Sequence, residues 1–214
     1  MTRRVVLWRH GRTEWNVAGR VQGQTDTALD EVGVRQAAAA AARLASLRPV
    51  RIVSSDLQRA RHTAEELSRL TGVPVELDER LREMNFGERE GLTWEESWER
   101  FPDLMKAMLE DREERFPGAE LHAEAGARLS AAVTEALETL EDEQTLVVVA
   151  HGAVLRVGVC TFLGFPEATW RTFAGLSNCS WIALEQISPE HDTRWRLTEW
   201  NAGTLPEPVM SDDG

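Results

Sequence analysis

An α/β fold, with a mostly parallel central sheet flanked by helices, is what three features of this 214-residue sequence predict. Short apolar runs at Val5–Trp8, Val50–Ser54 and Thr145–Ala150 have the length and continuity of strands buried on both faces. Segments of helical character lie between them, the alternation that builds parallel sheets. No internal repeat or linker interrupts the chain, and its length is enough for one well-buried core. Residues 1–202 therefore read as a single domain, and 203–214, with Pro206, Pro208 and Ser211-Asp212-Asp213-Gly214, as a flexible tail.

The first run breaks into a polar loop at Arg9. Arg9, His10 and Gly11 thus stand at the carboxyl end of a strand, where open α/β sheets bind ligands. Arg supplies a planar fork of permanent donors, His a nitrogen largely unprotonated at neutral pH, and Gly a backbone that can be approached closely. An Arg-His-Gly tripeptide alone is weak grounds for chemistry, so the weight falls on whether other segments return to it. Val17 to Ala28 is a polar loop in which Arg20, Gln22, Gly23 and Gln24 offer donors, though plain solvation would explain it equally.

A helix is expected from Leu29 with Asp30 as its N-cap, its run Ala37 to Ala42 favouring helix and close packing. Ser54-Ser55-Asp56 reads as a turn and N-cap into a helix from Leu57 to Leu70. Arg59 and Arg61 fall in its first turn, where the macrodipole disfavours cations, so an Arg there often meets an anion. Gly72-Val73-Pro74 ends that helix before a short strand, Val75 to Leu77, and Glu83 follows in a loop punctuated by Gly87 and Gly91. Thr93 to Arg115 is highly charged and reads as helical in pieces, a solvated face or lid. A long amphipathic helix, Ala123 to Leu140, precedes the third apolar run, which His151-Gly152 closes. Val154 to Phe162 is helical, and two late strands, Ser180 to Glu185 and Arg194 to Trp200, form an antiparallel hairpin through Ser188-Pro189-Glu190.

Twenty-four basic against 36 acidic residues give a net charge of −12, which argues against nucleic acid or an anionic membrane as partner. No apolar run approaches the ~20 residues of a membrane span, and no secretory leader is visible, so a cytoplasmic location is expected. Cys160 and Cys179 are too few and too distant for a disulfide framework or a zinc site, and no metal is expected. His62 reads as surface or as backing the site, His122 and His191 as solvated. Most of the eight tryptophans read as core and strand packing.

Four segments, in this order, resemble the histidine phosphatase superfamily: Leu7-Trp8-Arg9-His10-Gly11-Arg12-Thr13-Glu14-Trp15-Asn16, Ser54 to Ala64 around Arg59, Leu81-Arg82-Glu83-Met84-Asn85-Phe86-Gly87, and Val148-Val149-Ala150-His151-Gly152. The resemblance implies a phosphoglycerate-mutase-like three-layer sandwich and a metal-independent phosphomonoester hydrolase without cofactor. By it His10 is the nucleophile, Arg9, Arg59 and His151 hold phosphoryl oxygens with help from Asn16, and Glu83 is the proton donor and acceptor. Gln22, Gly23 and Gly152 fall at its substrate-binding positions. Two guanidiniums and a second imidazole, able to be cationic, would neutralise a transferring phosphoryl group. A pocket shielding Glu83 would favour its protonated form.

The chain lacks the long basic insertion of cofactor-dependent mutases after Glu83 and is acidic there instead, from Glu95 to Glu114, which favours hydrolysis over phosphoglycerate mutase activity. Many relatives carry Gly-Glu-Ser where this chain has Pro117-Gly118-Ala119-Glu120-Leu121, a departure at the pocket rim. Arg20 to Thr27, with Asn178 to Trp181 and Arg194 to Asn201, is similar to the group acting on glucosyl-3-phosphoglycerate. That implies a small phosphorylated metabolite as partner, with a broader sugar-phosphate or nucleotide range as the neighbouring reading. A phosphate-binding module without catalysis is the alternative of another class. Oligomeric state is left open, a homodimer included.

Overall fold

The computed structural model describes residues 2–110, 112–187 and 195–203. Its six strands, β1 (Arg4–Arg9), β2 (Arg51–Ser54), β3 (Val75–Leu77), β4 (Thr145–Ala150), β5 (Trp181–Gln186) and β6 (Trp195–Ala202), form one sheet in the order β3-β2-β4-β1-β5-β6. β3, β2, β4 and β1 are parallel, while β5 runs antiparallel to both β1 and β6. The expected α/β architecture with a mostly parallel sheet is borne out. All six residues of β4 are buried, as its unbroken apolar run requires of a strand covered on both faces.

Side chains alternate between two cores. Val5, Leu7, Leu146 and Val148 pack under α6 (His122–Leu137) and α7 (Gly152–Phe162). Val6, Trp8, Val147 and Val149 pack under α2 (Glu31–Leu44) and α3 (Gln58–Thr71), where Ala37, Ala40, Ala41, Ala60 and Ala64 allow close approach. Asp30 caps α2 as expected, accepting from the Gly33 N–H.

Several boundaries differ from the sequence reading for identifiable reasons. The polar loop after β1 contains a helical turn, α1 (Glu14–Val17), because Thr13 and Asn16 form a reciprocal capping box. The cap of α3 does not come from Ser54-Ser55-Asp56. Asp26 of the distant polar loop accepts from Gln58 N at 2.8 Å, while Asp56 binds Arg82. α2 starts at Glu31, α6 spans His122–Leu137 rather than Ala123 to Leu140, and α7 starts at Gly152, two residues early. The charged stretch after Thr93 is more than a solvated face. It folds as α4 (Trp94–Arg100) and α5 (Pro102–Leu109), whose Trp94, Trp98, Leu104 and Met105 cluster with Phe101, Phe116 and Ala119. β5 and β6 pair antiparallel as expected; the turn Ser188-Pro189-Glu190, His191 and residues 204–214 lie outside the described residues. Among the described residues no helix is long and apolar enough to cross a membrane.

α6 and α7 meet closely enough that a Cβ on Gly158 would lie 2.3 Å from Leu129 Cδ2, and Leu129 is fully buried. Gly158→Ala gains about 1 kcal/mol in helix propensity against an overpacking cost of about 1–3 kcal/mol. The net is expected to be unfavourable, read as a lower urea midpoint at unchanged m-value.

Candidate active site

Register builds the centre. Arg9 of β1 is paired with Ala150 of β4, so the next residues, His10 and His151, leave the sheet side by side, and His10 N–H donates to Ala150 O at 3.0 Å. Their rings stand 5.1 Å apart. On the other side of β4, Ser54 pairs with Val149, so β2 delivers Ser55 beside His151 and α3 brings Arg59 one turn later. Arg9, His10, Gln22, Arg59, Glu83 and His151 are all fully buried, and Asn16 nearly so. The elements thus bring Arg9, His10, Arg59 and His151 to one end of the sheet.

The hydrogen bonds of each imidazole determine its tautomer. His10 Nδ1 lies 2.7 Å from Gly11 O, an acceptor only, so Nδ1 carries the proton and Nε2 keeps its lone pair. That Nε2 is buried without a hydrogen-bond partner among the described residues. His151 Nε2 lies 2.9 Å from Ser55 Oγ, which already accepts from Leu57 N–H. Nδ1 of His151 has no partner among the described residues, and a serine proton given to Nε2 would make that Nδ1 an N–H donor. Burial first, then Arg59 and Arg9, hold His10 well below the usual imidazole range, the Gly11 carbonyl opposing them. Burial and Arg59 do the same to His151, with His10, Arg128 and Arg9 adding to it. Both shifts favour the neutral ring, against the expectation that His151 could be cationic.

The guanidiniums are oriented by backbone carbonyls. Arg9 donates to Leu176 O, and a Cβ on Gly152 would come within 3.3 Å of its Cζ, so Gly152 is small because Arg9 lies across it. Arg59 donates to Gly23 O at 2.7 Å and Thr25 O at 2.8 Å, drawing the loop at 22–27 to α3. Gln22 Oε1 accepts from the hydroxyls of Thr13 and Thr27, which turns its buried Nε2 outward, unpartnered among the described residues. Asn16 Oδ1 accepts from Thr13 N–H and Asn178 Nδ2.

Glu83 is buried as expected, but burial does not act on it alone. Met84, Ala153 and Val154 N–H groups point at its oxygens from 2.8 to 3.1 Å, the latter two from the first turn of α7. Arg128 holds the turn that carries it, donating to the carbonyls of Arg80, Arg82 and Glu83 and pairing with Glu120. Glu120 also accepts from Asn85 N–H, so the segment 117–121 departs from Gly-Glu-Ser yet keeps a carboxylate working at the rim.

A match to the family described as "Histidine phosphatase superfamily (branch 1)" covers residues 5–203. The chain belongs to the histidine phosphatase superfamily. It is 39% identical to the glucosyl-3-phosphoglycerate phosphatase of Mycobacterium tuberculosis, over 94% of this chain and 95% of that one. A solved structure of the mycobacterial glucosyl-3-phosphoglycerate phosphatase with VO3 superposes with a TM-score of 0.85 at 40% identity, covering 94% of this chain and all of that one. A protein of Erwinia tasmaniensis named "Probable phosphoglycerate mutase GpmB" is also 39% identical, over 98% and 95%. This histidine phosphatase is accordingly a phosphoric monoester hydrolase with a phosphoglycerate-mutase-like fold, and the mutase alternative has the lesser support.

Four residues of the site were not singled out from sequence: Ser55 behind His151, Thr63 accepting from Gly11 N–H at 3.1 Å, Asn178 between His10 O and Asn16, and Arg128 under Glu83. His62 is half-buried beside Thr63 on α3. His122 is paired with Glu113 rather than solvated. The cysteines are free and buried, and Trp8, Trp170 and Trp181 are core, while Trp195 and Trp200 pack on Phe162 and Phe173. A cavity of about 470 Å³, with Met84, Phe86, Trp94, Arg156 and Trp170 among its walls, lies off the phosphate centre.

Because His10 and His151 bind protons less readily folded than unfolded, stability is fully present above their unfolded value of 6.5 and is lost as pH falls through it. Stability is expected to fall between about pH 7.5 and 5.5, each imidazole contributing to the loss. Urea unfolding at the two pH values checks the sum, and His151→Asn should roughly halve the loss.

Proposed function

We propose that this phosphatase works through a phosphohistidine on His10. The observation that carries the reading is a neutral imidazole with Nδ1 tied to Gly11 O and the Nε2 lone pair left to act, among Arg9, Arg59 and His151. Nε2 attacks phosphorus in line, the P–O ester bond breaks, and protonated Glu83 gives its proton to the departing alkoxide. Glu83, now a carboxylate, takes a proton from water as the water attacks the phosphoenzyme. The N–P bond breaks and inorganic phosphate leaves with His10 again neutral. The N–H groups of Met84, Ala153 and Val154 fix this carboxyl in place for both proton transfers.

Arg9, Arg59, the Nδ1–H of His151, the amide of Asn16 and the Nε2 of Gln22 hold the phosphoryl oxygens, which places donors where charge develops. Gly23 and Gly152 let backbone and guanidinium come near. The substrate is a small phosphorylated metabolite, and the likeness over nearly the whole chain to the mycobacterial enzyme supports glucosyl-3-phosphoglycerate.

His10→Ala is expected to abolish phosphate release and acid-labile labelling by radioactive phosphate. Glu83→Gln should slow turnover by about 10²- to 10⁴-fold while still accumulating label. Turnover retained by His10→Ala would overturn the mechanism. Across a panel of phosphorylated metabolites, glucosyl-3-phosphoglycerate should give the highest kcat/KM. Formation of 2-phosphoglycerate from 3-phosphoglycerate with 2,3-bisphosphoglycerate, instead of free phosphate, would favour the mutase.

A further inference from the structure

Two arms of the centre meet at the carboxylate of Glu90. Its Oε1 accepts the N–H groups of Gln24 at 2.9 Å and Phe86 at 3.2 Å. Its Oε2 accepts the Thr25 N–H at 3.1 Å and the Thr25 hydroxyl at 2.8 Å. Three of these donors belong to the loop that carries Gln22 and Gly23, and the fourth belongs to the segment just after Glu83. Gln24 closes the triangle by donating from Nε2 to Glu83 O at 3.2 Å.

The peptide between Gly23 and Gln24 is the critical link. Its N–H is held by Glu90, and its C=O accepts from Arg59 Nη2 at 2.7 Å. An anion and a cation therefore grip opposite ends of one peptide dipole, each strengthening the other's hydrogen bond. Arg59 takes its second carbonyl from Thr25, whose own N–H is again on Glu90. Gly23 has φ of +51°, and a Cβ there would lie 2.0 Å from Glu90 Oε1, so the loop is shaped around this carboxylate.

We infer that Glu90 is a positioning residue for phosphoryl recognition: through the Gly23–Gln24 peptide it sets where the Arg59 guanidinium and the Gln22 amide stand. The inference rests on the roles proposed above for Arg59 and Gln22. Glu90 acts on substrate only through them. A carboxylate that served folding alone would be felt in stability and not in the affinity of the folded enzyme for an oxyanion.

Glu90→Gln keeps the shape and turns an NH2 group toward two N–H donors. It is tested by kcat and KM for p-nitrophenyl phosphate, the inhibition constant of vanadate, and urea unfolding. The variant should lose about 10- to 100-fold in kcat/KM and in vanadate affinity together, the scale of hydrogen bonds to a charged group. Glu90→Asp, which keeps the charge, should recover part of both. In an Arg59→Met background, Glu90→Gln should cost vanadate affinity less than it does in the wild type, because part of its effect passes through Arg59. A lowered urea midpoint with wild-type vanadate affinity and kcat/KM per folded enzyme overturns the inference, as does full additivity with Arg59→Met. If Glu90→Gln does not fold, Glu90→Asp carries the test, and wild-type vanadate affinity there overturns it equally. Retained turnover in His10→Ala is a different failure, one of the mechanism itself.

Discussion

Arg9 and Arg59 bring two permanent positive charges to positions that solvent does not reach, and much of the neighbouring structure exists to make that tolerable. An ion removed from water costs several kcal/mol unless polar groups replace its hydration. Here the replacements are carbonyls, from Leu176 for Arg9 and from Gly23 and Thr25 for Arg59. Burial first, and these charges after it, push both imidazoles below their usual range. For a nucleophile this is an advantage, since a protonated ring has no lone pair to offer. A phosphoryl dianion would complement such a set in charge.

The position of these groups follows from strand register more than from any loop. His10 and His151 are neighbours because Arg9 pairs with Ala150. A slip of one residue between β1 and β4 would turn His10 to the other face and carry Val5 and Leu7 away from their core. The apolar alternation that fixes the two cores thereby fixes the distance between the rings. Packing and chemistry share one constraint, and neither can be relaxed without the other.

The sequence was most legible where burial on both faces demands an apolar run, as in β1, β2 and β4, and where a short polar residue precedes a helix, as at Asp30. The residues at the strand ends could be named because strand ends are where such sheets bind ligands. Ser55, Thr63 and Asn178 could not. Each is a small polar residue whose part depends on a partner far along the chain; Thr63 and Gly11 are 52 residues apart. The first turn α1 was within reach, since Thr13 and Asn16 carry the spacing of a capping box. The apolar underside of α4 and α5 was hidden by charge density, because the acidic residues on the outer surface outnumber the few aromatics that meet beneath.

One detail of α3 bears on how this protein came to be altered and can be altered again. The helix that delivers Arg59 begins on a carboxylate borrowed from Asp26, 32 residues earlier, and on a second bond from Gln58 Nε2 to the Asp26 carbonyl. Two segments that read as separate pieces, a polar loop and a scaffold helix, are therefore physically coupled. Grafting either piece alone from a relative would leave a start without its stop, because what the loop can become is limited by what the helix needs.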